Sequence, residues 1–178
     1  AGITLGIVAP DGRDGMVSHA TQFAEAGIPW LFDPGQGLPM FDGVELRDFI
    51  GKETWVAVND YEGQMLQERT GWSAEEIASR VRAYIVTRGA EGSVIHADGK
   101  AHVIPTATPE RVADPTGCGD AYRAGLIFGL MNELDWDTTG RIASLMGSIK
   151  IAHPGTQNHR FDMNEFKTRF RAAFGREL

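Results

Sequence analysis

The stretch Asp114-Pro-Thr-Gly-Cys-Gly-Asp120 runs directly into the apolar segment Ala121-Tyr-Arg-Ala-Gly-Leu-Ile-Phe-Gly-Leu-Met131. Gly117 and Gly119 let the backbone approach a ligand closely. A helix opening here presents unpaired N–H groups and a partial positive charge, both suited to an anion. Asp120 falls in the first turn of that helix, and a carboxylate beside an anion hole can accept a proton. Asp120 therefore reads as a base for a substrate hydroxyl, with the amides of Gly117, Cys118 and Gly119 stabilising charge on a transferred group. That chemistry is phosphoryl transfer. The competing reading has Asp120 complement the helix dipole while the glycines make a turn, and the local pattern leaves both open. Two other nucleotide signatures fail: no G-x-x-x-x-G-K-[ST] occurs, and Tyr122 stands where the dinucleotide fingerprint needs its third glycine.

The segment resembles the second signature of the PfkB (ribokinase-like) carbohydrate and nucleoside kinases, approximately D-T-x-G-x-G-D. Pro115 replaces the usual Thr, a variant similar to the bacterial adenosine kinase-like branch. Further matches follow in family order: Phe32-Asp-Pro-Gly35, Asn59-Asp-Tyr-Glu62 as N-x-x-E, and Thr87-Arg-Gly-Ala-Glu-Gly-Ser93 as T-x-G-x-x-G. The resemblance implies Asp120 as catalytic base and Gly117, Cys118 and Gly119 as anion hole. It also implies a three-layer, doubly wound α/β fold with a mostly parallel sheet, and use of ATP and Mg²⁺.

The other motifs carry their own rivals. Asn59 and Glu62, three apart, can share one side of a helical first turn and hold water around Mg²⁺, or Asn59 can simply cap that helix with Glu62 in solvent. Thr87, Arg88, Gly89 and Gly92 suit a nucleotide-binding loop, where the glycines permit close approach and Thr87 and Arg88 donate to phosphate; a hairpin turn is the alternative. With family order included, the ATP-site reading is favoured. Cys118, a thiol at a helix start, offers a nucleophile, but no base can be placed beside it from sequence. His153-Pro-Gly-Thr-Gln-Asn-His159 puts two histidines across a Pro-Gly break, which suits a helix-ending loop around Gly155 better than metal ligation. The resemblance places this loop beside the adenine, with Gly155 in the ATP site. It also implies a neighbouring monovalent-cation site, with K⁺ as the ion and Asp114 and Thr116 contributing.

Composition sets the class. The chain has 178 residues, 42% hydrophobic and 23% charged, enough for one substantial core. A net charge of −7 disfavours nonspecific affinity for nucleic acid or anionic membrane, leaving nucleotide binding to local amides. One cysteine excludes an internal disulfide framework, no apolar run reaches the ~20 residues a membrane helix needs, and a cytoplasmic protein is the simplest inference.

Alternating strands and helices must position these groups. Strands are expected at Ile3–Pro10, Ile28–Phe32, Thr54–Asn59 and Tyr84–Thr87, with a helix around Gly15–Ala26 and another from Ser73 through about Val81. Ser93–Ala97 and Ala101–Pro105 suggest a hairpin around Asp98-Gly99. Helices follow near Gly117–Leu134, Thr138–Ala152 and Met163–Phe174. On the last of these, Phe166, Phe170 and Phe174 recur every four positions as a docking face, with Lys167, Arg169, Arg171 and Arg176 solvated. The four tryptophans read as packing residues.

The chain opens without Met on an apolar run, and the family's N-terminal portion, with its sugar-recognition aspartate, Gly-Gly hinge and β lid, is not visible. The expectation is one α/β kinase domain over 1–178 forming the C-terminal part of a longer kinase. Its small-molecule partners would be ATP and a nucleoside or sugar, with adenosine first; a homodimer is compatible with the family. A noncatalytic nucleotide-binding module is the runner-up, and a nicotinamide oxidoreductase lacks its glycine fingerprint.

Overall fold

The computed structural model describes residues 2–52 and 54–178. Its elements run β1 (Gly6–Val8), α1 (Arg13–Glu25), β2 (Trp30–Phe32), α2 (Gly43–Ile50), β3 (Trp55–Asn59), α3 (Asp60–Thr70), α4 (Ala74–Ala78), β4 (Ala83–Thr87), β5 (Ser93–Ala97), β6 (Lys100–Ile104), α5 (Cys118–Met131), α6 (Trp136–Ile151) and α7 (Met163–Phe174), with 3-10 turns at Gly35–Met40 and Gly89–Glu91. The six strands form one sheet in the order β1-β2-β3-β4-β5-β6. Strands β1 to β4 pair in parallel, each reached from the last through a helical crossover, as the α/β reading requires.

Two compact units make up the chain, the first comprising residues up to Arg88 together with Val94–Ala101, the second Gly89–Ser93 with His102–Leu178. In the first, side chains of β2, β3 and β4 alternate between two faces and are buried on both. Trp30, Phe32, Val56, Val58 and Tyr84 join one cluster, while Leu31, Ala57 and Ile85 point the other way and are equally inaccessible. Continuous apolar strands of this kind belong to a parallel sheet covered on both sides. Phe49 of α2 stacks on Phe32 with ring centroids 4.5 Å apart, and Phe41 meets Phe49 edge-on at 5.0 Å.

The second unit is built on α5 and α6. Gly125 and Gly129, one turn apart on α5, face α6 so closely that a Cβ on Gly125 would lie 2.5 Å from the Ala143 Cα, and one on Gly129 would collide with Thr139. Helix α7 buries Phe166 and Phe170 against Ile142, Leu145 and Ile149 of α6, as its aromatic spacing predicts. Arg169 reaches Glu165 and Glu110 on the solvent side.

Two boundaries and one helix stand out against expectation. β1 is only Gly6–Val8, and Ile3 is 65% exposed, because β2 offers three residues of ladder and the flanking apolar positions have no partner. α4 stops at Ala78, where Arg80 N–H closes a turn on the Ile77 carbonyl before the chain enters β4. Helix α2 was not anticipated, although Asp42 and Glu45 form a complete capping box at its start. Among the described residues no helix is long and apolar enough to cross a membrane.

Candidate functional site

Helix α5 starts from Gly117, which holds φ 82°, ψ 4° as its N-cap. Two requirements coincide there: the left-handed backbone favours glycine, and an added Cβ would lie 3.1 Å from the Thr156 Cβ. The Cys118 N–H closes the turn onto the Pro115 carbonyl at 3.1 Å. Among the described residues the N–H groups of Gly117, Gly119 and Asp120 have no protein acceptor, leaving three donors at a helix start. Of the three amides expected to form an anion hole, those of Gly117 and Gly119 stay open together with that of Asp120, whereas that of Cys118 is committed to the turn. Asp120 is exposed in the first turn, and no hydrogen bond or ion pair occupies its carboxylate among the described residues.

One turn further along, Tyr122 shares a 2.6 Å hydrogen bond with the Ser93 hydroxyl, and burial raises its phenol to about 12. This bond anchors the start of α5 to the beginning of β5.

The turn itself is braced by Asp114. Its Oδ1 accepts from Thr116 N–H at 2.9 Å and its Oδ2 from Gly155 N–H at 2.8 Å. Bonds from the Thr116 amide and hydroxyl, then from Gly155, with Lys150 nearby, pull the carboxyl down to about 2. Gly155 thus gives its amide to Asp114. The Lys150 ammonium, fully buried, donates to the Asp114 carbonyl at 2.7 Å and the His153 carbonyl at 3.3 Å. Sequence reasoning did not single out this lysine; its signal is a cation flanked by Ile149 and Ile151 in a helix whose neighbouring positions are apolar. The residues do not fit a free monovalent cation between Asp114 and Thr116. The two carboxylate oxygens accept from the Thr116 and Gly155 amides, and an ammonium already sits on the Asp114 and His153 carbonyls.

Burial raises the Cys118 thiol, and its Sγ faces the Asp114 carbonyl at 3.9 Å. An activated nucleophile needs the opposite shift. His153 Nδ1 lies 3.0 Å from the Ile149 carbonyl and the His159 ring stacks near Phe161. Among the described residues no three His, Cys, Asp or Glu side chains converge to hold a metal.

In the first unit, the parallel register sets Asn59 opposite Thr87 at the carboxyl ends of β3 and β4, the edge where open α/β sheets hold ligands. Asn59 and Glu62 meet as a reciprocal cap: Asn59 Oδ1 accepts from Glu62 N–H at 2.7 Å, and Glu62 Oε2 accepts from Asn59 N–H at 2.8 Å. Both functional and capping readings survive, because only one carboxylate oxygen is used. Glu62 also borders a cleft of about 230 Å³ with Gly35, Leu38, Pro39, Tyr61 and Met65. This donor set fits Mg²⁺ held through water and not by direct chelation.

Thr87 spends its hydroxyl on the Val58 carbonyl at 3.3 Å, Arg88 is exposed, and Gly89 with φ 53° opens the 3-10 turn. Gly92, expected to admit nucleotide, has φ 87° and meets protein instead: a Cβ there would strike the Ile104 carbonyl.

Residues 3–162 match the pfkB family of carbohydrate kinases. The chain is 33% identical to a nucleoside kinase of Methanocaldococcus jannaschii over 128 residues, 72% of this chain and 42% of that protein. It is 33% identical to the Methanothermobacter thermautotrophicus nucleoside kinase over 147 residues, 82% and 47% respectively. The chain therefore spans about half the length of these curated relatives. The solved Burkholderia thailandensis nucleoside kinase in complex with inosine superposes with a TM-score of 0.96 at 52% identity, covering 98% of this chain and 59% of that one. The likeness extends across both units, from the strand before α1 to the helix that docks on α6, and the chain belongs to the pfkB family of carbohydrate kinases.

Proposed function

We propose that the whole protein transfers the γ-phosphoryl group of ATP to a hydroxyl of a nucleoside, with adenosine or inosine the first acceptors to test. The observation that carries this is the glycine-capped start of α5, where three amides and the exposed Asp120 carboxylate have no partner among the described residues. The relatives' names and the inosine complex of the Burkholderia enzyme support the nucleoside class.

In this reading Asp120 takes the hydroxyl proton as the acceptor oxygen attacks the γ-phosphorus. The bond from that phosphorus to the bridging oxygen breaks, and ADP leaves. The amides of Gly117 and Gly119 stabilise charge on the moving phosphoryl group without reorganising. The 3-10 turn at Gly89–Glu91 and the loop at Gly155 bind ATP, Gly155 shaping its loop. The second carboxylate oxygen of Glu62 would hold Mg²⁺ through water, and the ion would supply positive charge to neutralise phosphate.

The test is an acceptor screen: whole protein, ATP and Mg²⁺ with adenosine, inosine, ribose and fructose, read by product mass. A phosphorylated nucleoside is expected. Phosphorylation of ribose or fructose alone makes the protein a sugar kinase, and no product with any acceptor overturns the reading.

A further inference from the structure

We infer that the Lys150 ammonium stands in for a monovalent cation, so that the turn before α5 is organised by a tethered charge and the protein works without K⁺. Lys150 lies in the last turn of α6, fully buried. A buried ammonium is costly unless hydrogen-bonded and compensated by charge. Here its donors reach the carbonyls of Asp114 and His153, one before the anion turn and one after α6.

Carbonyl oxygens gathered around one positive charge are what a K⁺ site supplies. The Asp114 carboxylate joins the same two segments through Thr116 and Gly155. Main-chain and side-chain oxygens of Asp114 thus divide the work: the carbonyl holds the ammonium, the carboxylate holds the amides. The result fixes the loop bearing Thr156 against Gly117. Lys150 acts through this loop as a positioning residue. A diffusible cation would have to displace a side chain already anchored on α6, which no dissolved ion at ordinary concentration does readily.

The effect on turnover rests on the kinase reading above; the effect on ion binding does not. The experiment takes the whole protein into choline chloride and replaces this stepwise by KCl or NH₄Cl at constant ionic strength, recording Tm and kcat with ATP and the best acceptor. For the native protein kcat should change by less than about twofold, with no K⁺-specific rise in Tm, since an ion that does not bind does not stabilise. Lys150→Met keeps the apolar stem and removes the charge. In choline its kcat should fall about 10- to 100-fold through misplacement of the turn, and KCl or NH₄Cl should restore much of it while raising Tm.

A native protein activated tenfold or more by K⁺, or stabilised by it, overturns the inference. So does a folded Lys150→Met whose Tm and kcat ignore both ions. Should the Met variant not fold, Lys150→Gln takes its place in the same comparison. If no acceptor is phosphorylated under any condition, the kinase reading fails while the melting arms still judge the lysine.

Discussion

Gly155 donates its N–H to Asp114 Oδ2 at 2.8 Å across 41 residues of chain, tying the loop after α6 to the turn before α5. Because Thr116 N–H takes the other oxygen, the two bonds together favour the ionised carboxylate. The folded-state carboxyl titrates near 2 against a reference of 3.8, a depressed value, so its stabilising contribution is full above the unfolded pKa and disappears as pH falls through the folded one. The Tm difference between native protein and Asp114→Asn should be constant above about pH 5 and shrink between about pH 4 and pH 2. Thermal melts of both proteins across that range check it; a difference that grows on acidification contradicts the assignment.

Gly117 combines a positive φ with a close neighbour, so Gly117→Ala should destabilise the protein by at least about 1–2 kcal/mol from backbone strain alone, before Thr156 is displaced. Urea denaturation measures this. Gly119→Ala is the control, since its backbone is not left-handed and its added Cβ meets only the Arg123 guanidinium, at 3.2 Å. It should cost clearly less stability, and equal losses would show that the turn does not depend on the left-handed cap.

Asn59 and Glu62 share a cap but not a function. Asn59→Ala removes the acceptor for the Glu62 N–H and should lower stability by about 1 kcal/mol. Glu62→Gln keeps an oxygen for the Asn59 N–H, so stability should change little while the Mg²⁺ concentration for half-maximal activity rises several-fold. Parallel melts and Mg²⁺ titrations separate the two roles.

The order of strands and helices was legible wherever apolar runs alternated with capping signals, as at Ser73-Ala-Glu-Glu76. Helix α7 was read to the residue because its phenylalanines repeat at the helical period and all face α6. Helix α2 carries an equally complete signal in Asp42 and Glu45, but its short length and two glycines nearby masked it. At the site, spacing revealed the glycines and Asp120, yet not what each glycine is for: Gly92 yields to the Ile104 carbonyl, a neighbour twelve residues on that no local pattern announces. Lys150 was hidden for the same reason, since its acceptors belong to Asp114 and His153 and exist only once the loop closes.

Helix α5 can aim its amides only if α6 supports it, and the two backbones approach through Gly125 and Gly129. Gly125→Val places carbon where the Ala143 backbone stands and should cost about 1–3 kcal/mol by overpacking. Alanine at Gly125 also clashes, at 2.5 Å, so it should destabilise despite its better helix propensity. Chemical denaturation of both variants checks the sign: a more stable Gly125→Ala would mean the helices have room to part.

Asp120→Asn isolates the proposed base, because the amide keeps the shape of the carboxylate and removes its basicity. Asp120 forms no hydrogen bond or ion pair among the described residues, so the fold should not register the change, and Tm should move by less than about 1 °C for an exposed, unpartnered position. ATP affinity should also hold, since the Gly117 and Gly119 amides are untouched. kcat should fall about 10²- to 10⁴-fold, the range that general base catalysis contributes. Loss of an interaction made only in the transition state lowers kcat and kcat/KM together, whereas loss of an electrostatic contact to bound nucleotide would raise KM for ATP. Steady-state kinetics with the best acceptor decide between them, and turnover equal to that of the native protein removes Asp120 from the reaction.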